Sequence, residues 1–504
     1  MSEVRFVDVS IRDGQLSVWA ANMTIGMMLR AAPYIDEVGF DAIECGWGNP
    51  DKNMPIHFEQ PFDGYRMLRK RFKKTPMRFH GGGLQSFKTG PSAIRALAYR
   101  IAGKIGAQQT RISDPWNQVG MWELRVREAR EAGLEPIVNL AFSLSPRHTD
   151  EYYAERTRGA AALKPFRICL KDVDGLLTID RARTLVPIIQ KNASGIPLEL
   201  HGHDTTGLAT SVAIEVVKLG IHIINSTIPP LSYSGAQPSV INLARNARSM
   251  GYEVNINEKP LGPVTEYWTA IAKQESFPIG APVEYDSRQY SHQLPGAMIA
   301  NLRRQLGEVG YEDRMEEVLE ETGIVRVDLG YPIMITPLSQ FVGTQAAMNI
   351  IVGERYKEVS DHVILYALGR YGEEAVTAMD QDVRAKILDR SRARKIDVEK
   401  PSDPSLEELR KMYGGSSISD EELMFRVQVN DKMRKKLQPP VEYRVGDSSV
   451  ASLVHELVRA GEYRHIHLSR PGLTLTMGRS QPDEANGAEL ARPQSQAGNP
   501  AGSS

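Results

Sequence analysis

Residues 197–207 read Pro197-Leu-Glu-Leu-His201-Gly-His203-Asp-Thr-Thr-Gly207, an alternating apolar segment that ends in His-x-His. The alternation predicts a strand over Pro197–Leu200, and side chains two residues apart in an extended chain point to the same face. His201 and His203 are therefore expected to project together beyond the end of the strand. Two imidazoles on one side suit a borderline metal such as zinc, manganese or cobalt. Two hydrogen-bonded structural histidines are the alternative interpretation.

The first 275 residues repeat one rhythm of a short apolar strand, a polar or glycine-rich turn and an amphipathic helix. This alternation indicates parallel strands joined by helical crossovers. Eight such units predict a (β/α)8 TIM barrel. An open doubly wound sheet is the alternative, although no Gly-x-Gly-x-x-Gly follows the first strand. The predicted strands are Val4–Val9, Ala42–Cys45, Met77–His80, Gln108–Ile112, Pro136–Ala141, Arg167–Leu170, Pro197–Leu200 and His222–Asn225.

Polar or ionisable residues follow nearly every predicted strand, and barrels of this kind carry their chemistry at the carboxyl ends of the strands. A barrel that served only as a scaffold would not need so many of these residues on one rim. In strand order they are Arg12 and Asp13; Cys45, Trp47 and Asn49; His80; Arg111 and Asp114; Asn139; Lys171 and Asp172; His201 and His203; Asn225 and Ser226.

Lys171 is unusual because a lysine at the end of a buried strand must be paired, neutralised or modified. A neutral amine can take up carbon dioxide and become a carbamate, which is an anionic oxygen ligand. Asp13, a carbamylated Lys171, His201 and His203 would then offer a metal two nitrogen and two oxygen ligands. A salt bridge from Lys171 to Asp172 or Asp174 is the alternative.

The rhythm of strands and helices stops after about residue 277, and mostly helical patterns follow. A short strand or hairpin is predicted over His465–Thr476, before a tail rich in Gly, Ser, Pro, Gln and Asn. The predicted organisation is a TIM barrel over 1–276, a helical domain over 277–440, a small segment over 441–478 and a disordered tail over 479–504. The predicted helices include Ile299–Gly307, Arg314–Thr322, Thr344–Val352, Asp361–Leu368, Asp382–Asp389, Leu406–Met412 and Asp420–Lys436.

The composition excludes several classes of partner. The 504 residues carry a net charge of −1 and no long basic run, so we expect no nucleic-acid binding. No stretch of eighteen apolar residues occurs, and the N-terminus lacks the pattern of a signal peptide. We therefore expect a cytoplasmic protein that does not span a membrane. The two cysteines, Cys45 and Cys169, lie in apolar runs and are expected to be buried free thiols.

Several motifs together resemble the biotin-dependent carboxyltransferase family, which includes the carboxyltransferase part of pyruvate carboxylase, the oxaloacetate decarboxylase alpha subunit and the 5S subunit of transcarboxylase. The matches occur in the order of the family and span roughly residues 5–390. They are Ser10-Ile-Arg-Asp-Gly14, Arg111-Ile-Ser-Asp114, Ser145-Pro-x-His-Thr149, Leu170-Lys-Asp-x-x-Gly-Leu-Leu177, His201-x-His-Asp-Thr-x-Gly207, Gln293-x-Pro-Gly296, Asp328-Leu-Gly-Tyr-Pro332 and Thr336-Pro-x-Ser-Gln-x-Val-Gly-Thr-Gln345.

The resemblance implies roles for particular residues. Asp13, Lys171, His201 and His203 match the metal ligands of the family, with Lys171 at the carbamylated position. Thr336 matches the threonine that moves a proton between biotin and the enol of the acceptor, and Arg12 matches a pocket arginine. The implied cofactors are a divalent metal and biotin.

The resemblance also implies partners. The biotin-attachment sequence, Ala or Val followed by Met-Lys-Met, does not occur in the sequence. We therefore expect biotin on a separate carrier protein, together with a separate biotin carboxylase subunit. The expected substrate is a small 2-oxo acid, and the expected assembly is a homodimer.

The acceptor pocket departs from the pattern of the family. His80 stands where an arginine is usual, and Phe87 stands where a tyrosine is usual. Leu16, directly after Gln15, stands where a glutamine is usual. A histidine cannot reproduce the bidentate contact of an arginine with a carboxylate. We therefore expect an altered acceptor, less polar or bulkier than oxaloacetate.

Two other functions remain open at the level of sequence. A metal-dependent lyase of the 3-hydroxy-3-methylglutaryl-CoA lyase type shares Arg-Asp-Gly and His-x-His-Asp-Thr-x-Gly, although Lys171 and the motifs of the second region argue against it. A biotin-independent descendant that keeps the fold as a scaffold is the third hypothesis.

Overall fold

A closed barrel of parallel strands in sequence order forms the first part of the chain. The structure is a computed structural model that describes residues 2–46, 58–80, 91–398, 403–415, 417–446, 457, 465–470 and 473–478. The predicted TIM barrel is confirmed, and the alternative of an open doubly wound sheet is wrong. The strands of the barrel are β1 (Arg5–Asp8), β2 (Ala42–Gly46), β3 (Met77–His80), β4 (Gln109–Ile112), β5 (Glu135–Ala141), β6 (Arg167–Asp172), β7 (Leu198–Gly202) and β8 (Ile223–Ser226).

Strands β6 and β7 run further toward the mouth of the barrel than predicted. Lys171 pairs with His201 in the ladder, so both lie inside strands rather than beyond them. The backbone N–H of His203 still donates to the carbonyl of Asp172 at 2.9 Å. The polar side chains did not end the strands, because the ladder continues wherever a neighbouring extended backbone offers partners. His201 and His203 keep the common direction that their spacing predicted.

Helices cover the outside of the barrel and make up the region that follows it. Those among the described residues are α1 (Gln15–Val18), α2 (Ile25–Asp36), α3 (Pro61–Arg71), α4 (Ser92–Ile105), α5 (Val119–Glu131), α6 (Asp150–Ala162), α7 (Ile179–Asn192), α8 (Ala209–Lys218), α9 (Val240–Ser249), α10 (Leu261–Glu275), α11 (Gln289–His292), α12 (Gly296–Glu308), α13 (Met315–Asp328), α14 (Leu338–Val352), α15 (Asp361–Ala367), α16 (Glu373–Ala378), α17 (Gln381–Leu388), α18 (Ser391–Val398), α19 (Leu406–Tyr413), α20 (Asp420–Gln428) and α21 (Asp431–Arg434).

The helices predicted over Asp420–Lys436 and Thr344–Val352 have different bounds in the structure. The prediction of one helix over Asp420–Lys436 is wrong, because Asn430 accepts a hydrogen bond from the N–H of Met433 and starts α21 as a new helix. Asparagine favours this capping position over the interior of a helix. Helix α14 begins at Leu338, six residues before the predicted start at Thr344.

The chain builds two large apolar cores. The first surrounds the barrel, and the second lies in the helical region between Leu294 and Ile396, with Trp116 of the barrel added to it. Helices α19 and α20 return to the first core, where the rings of Phe62 and Phe425 lie 4.8 Å apart. The predicted domain boundaries stay predictions.

The helical region is attached to the barrel at the end of β5. Arg326 of α13 donates to Ser143 Oγ at 2.9 Å and to the carbonyl of Leu144 at 3.1 Å. The amide of Gln293 donates to the same carbonyl at 2.8 Å. A small apolar cluster, which we call the rim cluster, joins the two regions nearby. It consists of Ala141, Ile333 and Ile335, with Val173 packed against it.

Two compact units divide the chain, Met1–Val445 and Gly446–Ser504. In the second unit, β9 (His465–Arg470) and β10 (Leu473–Gly478) pair antiparallel, as the predicted hairpin requires. The predicted disordered tail lies outside the described residues. Among the described helices, none is long and apolar enough to cross a membrane.

Candidate active site

The lumen of the barrel is filled by charged side chains that bond to one another. At its floor, Arg78 and Glu199 form a fully buried pair, with Nη1 and Oε1 2.6 Å apart. Arg167 lies 3.3 Å from the second oxygen of Glu199, and Asn225 donates to the first at 2.7 Å. Burial raises the pKa of Glu199, but Arg78, Arg111 and Arg167 together outweigh it and lower that pKa to about 2. This carboxylate therefore stays charged and anchors the groups above it.

Glu44 joins two arginines in the middle of the lumen. It accepts from Arg12 Nε at 2.7 Å and from Arg111 Nη1 at 2.9 Å, and it is fully buried. Arg12 reaches it by crossing the end of β2, where a Cβ on Gly46 would lie 2.8 Å from Arg12 Cγ. A side chain at that position would therefore displace Arg12.

Glu44 is a residue that the sequence prediction missed, because it named Cys45, Trp47 and Asn49 for this strand end. Cys45 instead belongs to the apolar core around the barrel. Trp47 and Asn49 lie outside the described residues. The alternation of side chains along the strand could have identified Glu44. It stands between two apolar residues that point to the opposite face of the strand.

Asp13, His201 and His203 come together at the mouth of the barrel. Asp13 Oδ2 lies 2.8 Å from His201 Nε2 and 3.1 Å from His203 Nε2, and the two imidazole nitrogens are 3.2 Å apart. All three residues are buried. Three atoms that can each bind a metal thus converge on one point.

Neighbouring polar groups hold the far sides of both imidazoles. His203 Nδ1 donates to the carbonyl of Gly235 at 2.6 Å, whereas His201 Nδ1 lies 2.8 Å from Asn225 Oδ1 and 3.0 Å from Arg111 Nη1. A proton on His203 Nδ1 leaves the lone pair of its Nε2 directed at Asp13, as second partners do for metal-binding histidines. Burial raises the pKa of Asp13, but Arg12 and the imidazoles outweigh it and hold that pKa well below its usual range.

This arrangement fits a divalent ion. Ligand atoms about 2.0–2.1 Å from a zinc ion lie roughly 2.8–3.0 Å apart at right angles and roughly 3.3–3.4 Å apart at tetrahedral angles. The observed separations, from 2.8 to 3.2 Å, fall within these limits. Without a cation, the carboxylate oxygen of Asp13 would face the Nε2 lone pair of a neutral His203. The donor set of one carboxylate and two imidazoles suits zinc, manganese or cobalt.

Lys171 lies on the strand next to His201 and is buried. Burial, followed by Arg111 and Arg12, lowers the pKa of Lys171 to about 7. In the described part of the chain, no hydrogen bond or ion pair holds its amine. The alternative salt bridges are not formed, because Asp172 accepts from the N–H groups of Leu176 and Leu177 instead.

Asp174, the other candidate for a salt bridge with Lys171, is fully buried. Among the described residues, neither of its oxygens has a hydrogen-bond partner. Burial raises the pKa of Asp174 well above its usual range.

The predicted substrate residues are not equally available to a ligand. His80 lies at the end of β3, where burial and then Arg12 and Lys171 lower its pKa well below the usual range. Its Nδ1 has no partner among the described residues. Leu16 is 39% exposed. Gln15 is bound to its own segment, since it donates to the carbonyl of Arg12 and accepts from the N–H of Met23. Phe87 lies outside the described residues.

Thr336 is exposed. It follows directly after Ile335 of the rim cluster, which packs on Ala141 beside Lys171 in the sheet. Helix α14 begins two residues later. The rim cluster thus fixes the backbone that carries Thr336 at the β5–β6 side of the mouth.

Gln237, on the loop after β8, is a second residue that the sequence prediction missed. Its Nε2 lies 3.0 Å from Asp13 Oδ2 and 3.2 Å from His201 Nε2. No local pattern marks it, because it belongs to a loop and is separated from both partners by many residues.

A polar site at the carboxyl mouth of a closed parallel barrel is the arrangement of a barrel enzyme. Two family models match the chain: one described as HMGL-like over residues 3–257, and one of the conserved carboxylase domain over residues 290–463. The chain belongs to the biotin-dependent carboxyltransferase family, as the motifs indicated.

Named relatives support this membership, and a solved structure shares the fold. The B subunit of pyruvate carboxylase from Methanocaldococcus jannaschii is 32% identical over 392 residues, which cover 77% of this chain and 68% of that protein. The protein of the same name from Methanothermobacter thermautotrophicus is 29% identical over 509 residues, which cover 97% of this chain and 88% of that protein. The carboxyl transferase domain of Rhizobium etli pyruvate carboxylase shares the fold, with a TM-score of 0.77 at 20% identity, covering 96% of this chain and 85% of that one.

Proposed function

We propose that this chain is the carboxyltransferase component of a biotin-dependent system. It moves a carboxyl group between biotin on a separate carrier protein and an enolisable 2-oxo acid. The convergence of Asp13, His201 and His203 at the mouth of the barrel carries the proposal. The two archaeal relatives are named as one subunit of pyruvate carboxylase, which supports an enzyme built from separate chains. The proposed partners are therefore a biotinyl carrier and a biotin carboxylase, and the proposed assembly is a homodimer.

Asp13, His201, His203 and a carbamylated Lys171 are the proposed metal ligands. A divalent ion held there would act as a Lewis acid on the carbonyl oxygen of the 2-oxo acid. Asn225 and the carbonyl of Gly235 orient the imidazoles, and Glu44 holds Arg12 beside Asp13. The chain thus fixes the direction of each ligand before any substrate arrives, as electrostatic preorganisation requires.

Lys171 supplies its ligand by reaction with carbon dioxide. The neutral amine attacks the carbon, one N–H proton passes to solvent, and a carbamate anion forms. Three features support this step: the amine is buried, it lies beside His201, and no described side chain pairs with it. Lys171→Arg keeps a positive charge but cannot form the carbamate, because a guanidinium stays protonated.

Thr336 is proposed to move the proton between the ureido nitrogen of biotin and the enol of the acceptor. Its hydroxyl is exposed, and the rim cluster holds its backbone beside the strand that carries Lys171. A group that transfers a proton in the transition state contributes about 10²–10⁴-fold to the rate.

The acceptor is proposed to be less polar or bulkier than oxaloacetate. His80 lies where the family places an arginine, and burial beside Arg12 keeps it uncharged. Arg111 cannot replace that arginine, because its donors already bond to Glu44, Asn139 and Asn225. Arg12 is likewise bound to Glu44 and to Asp13 at 2.9 Å.

The test is release of pyruvate from oxaloacetate with free biotin, run beside a panel of bulkier 2-oxo acids. Thr336→Ala should lower the biotin-dependent rate about 100-fold or more with an unchanged metal content. Thr184→Ala, on the exposed face of α7, is the matched control. An equal rate in Thr336→Ala and the wild type would exclude the proposed role of Thr336.

The same assay tests the acceptor. Losing a charge-assisted contact costs about 1.5–3 kcal/mol, or roughly tenfold or more in affinity. The double variant His80→Arg, Leu16→Gln should therefore handle oxaloacetate about tenfold better than the wild type. If the wild type already matches the double variant, the acceptor pocket is that of an ordinary family member.

A metal-dependent lyase is the second candidate, because the HMGL-like model covers the whole barrel. Cleavage of 3-hydroxy-3-methylglutaryl-CoA without biotin, together with no biotin-dependent turnover of any 2-oxo acid, would establish it. No turnover in either assay would favour the scaffold hypothesis.

A further inference from the structure

Gln237 is fully buried, and its backbone is fixed by the loop that follows β8. Its backbone carbonyl accepts from Thr227 Oγ1 at 2.7 Å and from the N–H of Tyr233 at 3.0 Å. The same loop supplies the Gly235 carbonyl that accepts from His203 Nδ1. One loop therefore both orients an imidazole and directs an amide side chain at the candidate metal site.

The end of the amide lies where a neighbouring ligand of one ion would lie. Gln237 Nε2 is 3.0 Å from Asp13 Oδ2 and 3.2 Å from His201 Nε2. The three proposed ligand atoms of Asp13, His201 and His203 are separated by 2.8, 3.1 and 3.2 Å. Neighbouring ligands about 2.0–2.1 Å from one zinc ion lie roughly 2.8–3.4 Å apart, depending on the coordination angle.

The other end of the amide is an unsatisfied acceptor. Gln237 Oε1 is buried and has no hydrogen-bond partner in the described part of the chain. The two ends of a glutamine amide have nearly the same shape, so a half-turn about the last side-chain bond exchanges them. With a cation among the ligands, an N–H donor would face positive charge, whereas the carbonyl oxygen is a good ligand for a hard or borderline ion.

We propose that Gln237 is a further ligand of the divalent ion, bound through Oε1 after its amide turns. The inference rests on the metal site of the proposed function. It adds a neutral oxygen to the set of Asp13, Lys171, His201 and His203. The loop after β8 then contributes directly to the coordination of the ion.

The experiment measures the affinity of the metal-free full-length protein for Zn²⁺ and Co²⁺ by competition with a chelator, and the visible absorption of the Co²⁺ form. Gln237→Leu removes both ends of the amide and should weaken affinity about tenfold or more with a changed Co²⁺ spectrum. Gln237→Glu keeps an oxygen at this position and should bind at least as tightly as the wild type. Gln345→Leu, which changes a buried amide in the helical core, should leave both measurements unchanged.

The outcomes separate the two proposals. If the wild type binds neither ion, the metal site of the proposed function is wrong. If the wild type binds and Gln237→Leu has the same affinity and the same Co²⁺ spectrum, only the role of Gln237 is overturned. Thermal unfolding of the metal-free proteins shows whether Gln237→Leu folds. If it does not, Gln237→Glu decides, because weaker binding by this folded variant contradicts the proposal.

Discussion

The lumen of the barrel and the core of the helical region are both closed to solvent, but different side chains fill them. Arg78, Arg111, Glu44 and Glu199 bond to one another inside the barrel. The helical region instead packs apolar side chains such as Val318, Val342 and Ile364. Buried ion pairs are often no more stabilising than apolar residues of similar volume. The charged lumen is therefore better explained by the support that it gives to Asp13 and His201 than by stability.

The largest effect is expected for Glu44→Ala in the lumen. This change leaves Arg12 and Arg111 as buried cations without their shared carboxylate, which costs about 3–5 kcal/mol of unfolding free energy. Metal content should also fall, because Arg12 is no longer held beside Asp13. Urea unfolding and elemental analysis check both outcomes. Unchanged stability would mean that the lumen tolerates unpaired charge.

A cavity in the helical core provides the matching test. Ile364 is fully buried there, and Ile364→Ala should cost about 2–5 kcal/mol by loss of packing. Metal content per folded molecule should stay at the wild-type value, because this core contains none of the proposed ligands. A loss of metal equal to that of Glu44→Ala would remove the functional distinction between the two regions.

Acid should reveal a smaller effect at one histidine of the helical region. Burial lowers the pKa of His292 from an ordinary value of 6.5 to about 4. Asp286 and Glu316 raise this pKa, whereas Arg288 lowers it further. Because the unfolded chain binds this proton first, the stability that His292 contributes is lost as pH falls from about 6.5 toward 4. Glu199, with its pKa of about 2, contributes stability that is lost only as pH falls from about 4.5 toward 2.

The variant His292→Asn tests this prediction. Asparagine can still accept the hydrogen bond from the N–H of Leu294, but it does not titrate. Urea unfolding at several values between pH 4.5 and 7 should show a shallower loss of stability in the variant. Parallel curves for the two proteins would contradict the assigned role of His292.

Much of the fold and part of the site could be predicted from local patterns. His201 and His203 could be identified as candidate ligands because side chains in an extended chain repeat their direction every two residues. Lys171 could be identified because an amine at the end of an apolar strand must be paired, neutralised or modified. Glu44 was readable in principle from the same alternation. The break at Asn430 was missed because capping depends on one side-chain oxygen, while the apolar pattern continues past it.

Other parts of the site depend on the assembled fold. Gln237 reaches Asp13 only because β8 closes the barrel against β1, and no local spacing encodes that closure. The position of Thr336 depends in the same way on the packing of Ile333 and Ile335 against Ala141. The sequence also could not show that the donors of Arg111 are already bound inside the lumen.

The filled lumen also determines how molecules reach the reacting groups. Arg78 and Glu199 close the floor beneath His201, so within the described part of the chain the site is open toward the mouth of the barrel. In the proposed reaction, the biotin arm and the acceptor would both approach from this side. Binding and release of the two molecules would therefore be coupled, because each needs the space at the mouth that the other uses.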